Sequence, residues 1–264
     1  MAGELMLKKL TLGFKTTGAA YPDSIELLLL LNSKGDWKLL SEEVIRDNLL
    51  KKKSNRWIGH LVQYFQKRYV VEHDFLPNVK NLSIFVSKVK SPSARIQALY
   101  QYICESDAFV EAFVLDLIAP KLDHYGAFRL DLSDYDEFIA KEAVLHPEVR
   151  AWSPKTIRKI RADLFAFLRS SGIMEKHPGA IVRKFVVKPE TFAFFLYELL
   201  SRNLDTASIL KNYLWARYFL SRSDIDVLLA ECQVRGWLDY RNFGGISELI
   251  PRFESLEEWL NAIE

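Results

Sequence analysis

Residues 153–172 constrain the fold most, because they can satisfy their side-chain pattern only as one helix with two unlike faces. Ser153 stands where an N-cap belongs, and Pro154 falls in the first turn, where a helix tolerates proline best. Gly172 offers the left-handed residue that ends a helix. At about 100° per residue, Ile157, Ile160, Leu164, Phe167 and Leu168 gather on one side. Lys155, Arg158, Lys159 and Arg169 gather on the other, with only Ala162 and Ala166 between them. Small alanines let a cationic face approach a polyanion closely, so nucleic acid is the first partner to consider.

The whole chain does not advertise this. Its 264 residues carry 36 Lys and Arg against 34 Asp and Glu, a net charge of only +2. The charge is nevertheless sorted into blocks. Residues 46–69 hold seven basic residues against Asp47 alone, net +6, and residues 150–169 hold six against Asp163 alone, net +5. Residues 105–142 hold ten acids against three bases, net −7. Such blocks cancel in the sum and still create separate surface potentials.

A hydrophobic content of 49% fits a folded globular chain, long enough for one large domain or two ordinary ones. Cys104 and Cys232 sit in amphipathic helical patterns, as buried thiols would, which fits a reducing cytosol. The longest apolar stretch, residues 25–31, is interrupted by Glu26 and falls far short of the ~20 residues of a membrane span. The N-terminus has no signal-peptide pattern.

Helical periodicity dominates the rest. The spacing predicts helices at residues 21–32, 41–50 and 54–69, the last two linked by Lys51, Lys52 and Lys53. Three short helices with a tight final connection resemble a helix-turn-helix. In the third, Arg56, His60, Gln63 and Lys67 oppose Ile58, Leu61, Val62, Phe65 and Tyr69. Further helices are expected at 82–88, 93–105, 107–122 and 133–145, the last opened by Ser133 and stopped by Pro147. After Gly172 the period changes. Residues 173–175, a His-Pro-Gly turn and residues 181–187 read as strand, turn, strand, the helix-then-hairpin order of a winged helix. Helices are expected at 189–202 and 206–220. The helix-then-hairpin order then recurs, with a helix at 223–235 and strands at 237–240 and 246–253, and Ser255 opens a last short helix.

The expected fold is therefore mainly α, with two helical lobes, helix-turn-helix and winged-helix elements and one or two short β-hairpins. The lobes are residues 1–147, with a helix-turn-helix-like segment at about 22–69 and a helical bundle, and residues 148–264, with winged-helix-like elements.

Other constellations carry less. Residues 13–18 have the glycine spacing of a phosphate loop, but Ala19 and Ala20 stand where Lys and Ser or Thr are required. Residues 131–137 are rich in oxygen ligands, but an EF-hand needs Gly where Asp136 stands, and helix capping explains the acids better. The five histidines show no metal-ligand spacing, and no nucleophile-elbow, zincin or Cys-x-x-Cys motif is present. Tyr213, Trp215, Tyr218 and Phe219, with Arg217 and Arg222, offer a base-stacking platform, although their helical spacing favours core packing.

Several segments together resemble the BrxA family. They are Phe14 to Gly18 followed by Tyr21, Asp23 and Ser24; Gly35 to Trp37; Val44 to Leu50; Tyr135 to Phe138; Trp152 to Lys159; Leu164 and Phe165; and Ser171 to Met174. The resemblance covers roughly residues 14–175 and fades beyond Lys176. It implies a helical, cytosolic, non-enzymatic component of the bacterial BREX phage-defence systems that binds double-stranded DNA with little sequence preference. It brings no catalytic residue, cofactor, metal or small-molecule substrate, and leaves other BREX proteins as further partners. Its basic helix corresponds to Lys155, Arg158, Lys159 and Arg161.

Two cationic patches are therefore expected to meet DNA: Lys51, Lys52, Lys53, Arg56 and Lys67 in one, and Lys155, Arg158, Lys159, Arg161 and Arg169 in the other. The rival reading is a protein–protein adaptor of the defence complex that never touches DNA. RNA is a third possibility.

Overall fold

A computed structural model of the protein describes residues 10, 14, 18–202, 204–243 and 246–263. The fold is mainly α, with two short antiparallel strand pairs among the described residues. The chain forms two compact units. Unit 1 takes residues 1–19 and 103–184, and unit 2 takes residues 20–102 and 185–264. Residue 147, where the sequence suggests a boundary, lies inside unit 1. Both units thus combine segments that the sequence reading assigns to different lobes.

Unit 2 opens with α1 (Tyr21–Lys34), α2 (Trp37–Arg46) and α3 (Asn55–Phe65). Gly35 ends α1 at φ 79°, and the Asp36 carboxylate caps α2 by accepting from the Leu39 amide. That cap starts α2 four residues before the expected Ser41, which lies inside the helix. A π turn, Gln66–Val70, extends α3. The expected apolar side of α3 is buried: Ile58, Leu61, Val62, Phe65 and Tyr69. Residues 47–54 join α2 to α3, eight residues rather than the ~3–4 of a helix-turn-helix. Next come α4 (Val79–Lys88) and α5 (Pro92–Ser106), and the division between the units falls within α5.

The second half of unit 2 is built on α11 (Pro189–Ser201), whose Phe192 to Leu196 are wholly buried. The single helix expected at 206–220 is two, α12 (Thr206–Leu210) and α13 (Tyr213–Arg217), because the Asn212 side chain accepts from the Leu214 amide and restarts the helix. Of the aromatic group there, Trp215, Tyr218 and Phe219 are core residues, and only Tyr213 is exposed. The Tyr218 hydroxyl donates to the Gln97 carbonyl at 2.7 Å, and that of Tyr100 to the Arg217 carbonyl at 2.9 Å, so burial leaves these polar tips satisfied. Then come α14 (Arg222–Val234), the antiparallel strands β3 (Leu238–Phe243) and β4 (Ile246–Pro251), and α15 (Leu256–Ala262), capped by Ser255.

Unit 1 has the order helical run, strand, three helices, hairpin. Its first helical run is α6 (Ala108–Ala112), a π turn (Phe113–Ile118) and α7 (Ala119–Tyr125). β1 (Ala127–Arg129) leads to α8 (Leu132–Leu145), which the carboxylates of Asp131 and Asp134 cap instead of Ser133. α9 (Pro147–Arg150) and α10 (Pro154–Ser170) follow. β2 (Ile181–Arg183) is shorter than the strand expected to reach residue 187. It pairs antiparallel with β1, Phe128 opposite Val182, and on its other edge with residues 173–175. There the Arg183 amide donates to the Ile173 carbonyl at 2.9 Å, and the Glu175 amide to Ile181 at 3.0 Å.

The phosphate-loop-like turn lies mostly outside the described residues. Phe14 is described, and it is buried with its ring edge-on to Phe167 at 5.5 Å. Its amide donates at 3.1 Å to Asp107, whose carboxylate also caps α6.

Candidate nucleic-acid interface

α10 forms as its sequence demands. The Ser153 hydroxyl accepts from the Thr156 amide at 3.2 Å, and Gly172 closes the helix at φ 81°. After it, the Ile173 amide donates back to the Leu168 carbonyl at 2.9 Å, a Schellman-type ending. Ile160, Leu164, Phe167 and Leu168 are at most 2% exposed and Ile157 is half-buried, so the apolar face anchors the helix. A neighbouring helix adds a polar tie, because the Tyr135 hydroxyl of α8 donates to the Ile157 carbonyl at 3.2 Å. Burial pushes the Tyr135 phenol up in pKa, with the Arg161 charge opposing, so it remains a donor.

The opposite face is open. Lys155, Arg158, Lys159, Ala162, Ala166 and Ser170 are exposed in sequence order along one stripe. Among the described residues, Lys155 and Arg158 have no carboxylate partner. Lys159 is paired with Asp163, one turn on, in an i,i+4 contact that leaves its side chain 52% exposed. Such surface pairs contribute about 0–1 kcal/mol and give way readily to a stronger anion.

Two arginines expected on this patch are placed differently. Arg161 is half-buried, with its guanidinium 5.9 Å from the Tyr135 ring centre and 4.0 Å from Asp136. Arg169 turns towards the hairpin, where its Nη2 donates to the Gly179 carbonyl at 3.3 Å. Both brace α10 against its surroundings.

The other patch belongs to unit 2 and centres on the loop before α3. Asn48 shapes it: its Nδ2 donates to the Lys52 carbonyl and its Oδ1 accepts from the Lys52 amide, both at 2.8 Å. Lys51 adopts φ 50° inside this clasp. Lys51, Lys53, Arg56 and Lys67 are exposed, whereas Lys52 folds back onto Asp23 as an ion pair. Four of the five expected cations therefore point outwards, Lys67 from the π turn rather than from α3 itself.

Sequence reasoning missed the hairpin's own charges. Lys176 and His177 are exposed at its turn, and Arg183 pairs with Glu175 across it at 3.2 Å. Basic residues at 176, 183 and 184 are the signal that was available. β1 gives no such signal, because three residues are too few to show a period and their partner strand lies over fifty residues away.

Among the described residues, no group of three or more His, Cys, Asp or Glu is placed to hold a metal ion, and no helix is long and apolar enough to cross a membrane.

A mainly helical scaffold with solvent-facing cations on a buried-backed helix defines the class of protein, and the comparisons supply the family. The BrxA family model matches residues 8–198, so the chain belongs to the BrxA family. Membership points to a BREX-associated role. The fold is also similar to the crystal structure of an uncharacterized protein from Magnetospirillum magneticum, with a TM-score of 0.60 and 13% sequence identity over 80% of this chain and 98% of that one. No curated protein matches the chain.

Proposed function

We propose that the protein is a non-enzymatic, cytoplasmic component of a BREX phage-defence system that binds double-stranded DNA without sequence preference. Unit 1 reads as a winged-helix module: α6–α7, β1, α8, α10 and the hairpin of residues 173–183 occur in that fold's order. α10 takes the place of the helix that enters the major groove. The observation that carries the reading is the pair Lys155 and Arg158, exposed and free of carboxylate partners among the described residues, beside Ala162 and Ala166. Nothing bulky stands between those cations and a phosphate. Lys51, Lys53, Arg56 and Lys67 of unit 2 give a second set of phosphate contacts.

Binding through phosphates displaces counterions, so affinity should fall linearly with salt on logarithmic axes, by about 0.9 per contact. Replacing Lys155, Arg158 and Lys159 together with Glu should abolish the shift of any duplex in a gel at low salt, equally for all sequences. A triple variant that shifts DNA as well as the wild type sinks the assignment.

An adaptor role is the second reading. It is favoured by α14 and its hairpin, where the basic residues are matched by acids and Val227 and Val234 are 59% and 88% exposed. A pull-down with the other proteins of the system, beside the gel shift, separates the two.

A further inference from the structure

The geometry points to the turn of residues 176–179 as a second DNA-contacting arm that Arg169 holds in line with the cationic stripe of α10. This inference rests on the DNA-binding reading above.

Arg169 lies on the stripe itself. Counting about 100° per residue, it falls within roughly 40° of Lys155, Arg158 and Ala162. Its side chain does not project freely: Nη2 donates to the Gly179 carbonyl, and Nε is buried with no hydrogen-bond partner. The arginine thus ties the turn to the far end of the stripe, near the exposed Ser170. There Lys176 and His177 are exposed, and Lys176 has no carboxylate partner among the described residues.

The turn is also stiff. The Gly179 amide donates to the Lys176 carbonyl at 2.8 Å. A Cβ at Gly179 would stand 2.9 Å from the Glu175 Cβ and 3.0 Å from the Lys176 carbonyl oxygen, so only glycine fits. A side chain cannot be added without moving backbone. A preformed arm loses little entropy when it binds.

The spacing suits a duplex. Lys155 and Arg169 are fourteen residues apart, about 21 Å along a helix at ~1.5 Å per residue. That spans about six base pairs at ~3.4 Å each. On this reading the N-terminal half of α10 meets one stretch of backbone, and Lys176 supplies the phosphate contact at the other end of the stripe. Arg169 is then a positioning residue, not the phosphate contact that its sequence pattern suggests.

The test is fluorescence anisotropy of the full chain with a 20-base-pair duplex of arbitrary sequence, titrated against KCl. Wild type should bind, and Lys155→Gln/Arg158→Gln should lower the salt slope by about 1.8, at ~0.9 per contact. Lys176→Gln should lower it by about 0.9. Arg169→Ala and Gly179→Ala should each lower it by a similar amount, and Arg169→Ala/Lys176→Gln by no more than either change alone. An additive double variant would instead put Arg169 directly on a phosphate and overturn its positioning role. If wild type binds and the α10 variant weakens it while Lys176→Gln and Gly179→Ala keep the wild-type slope, the arm is refuted and the DNA reading stands. If wild type does not bind, or the α10 variant leaves binding unchanged, the DNA reading itself fails. Lys176 is exposed, so its variant keeps the fold, and a thermal melt confirms that.

Discussion

α10 and α14 begin and end alike and are charged in opposite styles. Each is capped by a serine, Ser153 or Ser221, and each stops at a left-handed glycine, Gly172 or Gly236. Each leads into antiparallel strands, and each sends an arginine to the hairpin that follows it. Arg169 reaches the Gly179 carbonyl, and Arg222 reaches Tyr240 and Ser247. The difference is in the acids. α10 has Asp163 alone, whereas the second region matches Arg222 with Asp226, Arg235 with Glu190, Arg241 with Glu248 and Arg252 with Asp239. A backbone pattern therefore does not confer a polyanion site. On the proposed reading unmatched cations on it make the site, because they have loosely held counterions to release.

The largest effect should come from neutralising those cations. Lys155→Gln/Arg158→Gln/Lys159→Gln should lower the salt slope of duplex binding by about 2–3, at ~0.9 for each phosphate no longer neutralised. Arg222→Gln/Arg235→Gln/Arg241→Gln removes as many positive charges from the second region and should leave the slope unchanged. Equal reductions in the two triples would erase the contrast.

Next come the glycine stops. Gly172 at φ 81° and Gly236 at φ 72° have open space where a Cβ would go, so alanine meets only backbone strain. Left-handed backbone costs an L-residue about 1–2 kcal/mol. Gly172→Ala and Gly236→Ala should each lower unfolding free energy by that amount in urea titrations. Only the first should also weaken DNA binding, because it alone displaces the hairpin after α10.

The sequence foretold these helices for reasons that also mark its limits. The Gly172 stop, the Ser153 cap and the buried side of α10 are local patterns, and local patterns were legible. So was the core position of Trp215 and Tyr218, from helical spacing alone. Ion pairing was not. Lys52 meets Asp23 across nearly thirty residues, and Arg169 meets a carbonyl ten residues on, so a count of cations overstated both patches. Unit membership was illegible for the same reason, since residues 20–102 and 185–264 join through contacts with no sequence signature. α2 started early because Asp36 is as good a cap as Ser41 and comes first.

A smaller effect should follow from removing the one acid of α10. Asp163 is 16% exposed at its side chain, and its Oδ2 is buried without a hydrogen-bond partner. Asp163→Asn keeps the shape and removes the charge that competes with phosphate for Lys159. Duplex affinity at fixed salt should rise by about 2–5-fold, an exposed pair being worth about 0–1 kcal/mol. Unchanged affinity would mean that Lys159 does not meet DNA.

The smallest effect should come from Arg222, whose contacts are many and exposed. Its Nε is 3.0 Å from Asp226, and its Nη2 donates to Ser247 at 2.7 Å and to Tyr240 at 3.3 Å. Water can replace each of these, and the side chain is 48% exposed. Arg222→Ala should therefore cost about 0–1 kcal/mol in urea and leave DNA affinity untouched. The companion change, Arg169→Ala, removes a guanidinium whose Nε is buried, and should weaken DNA binding through the turn it holds. Two arginines that each brace a hairpin, Arg169 from the last turn of α10 and Arg222 from the first residue of α14, would then differ in consequence because one positions an unpaired lysine and the other only matched charges. Comparable weakening of DNA binding by the two would show that both hairpins face the duplex.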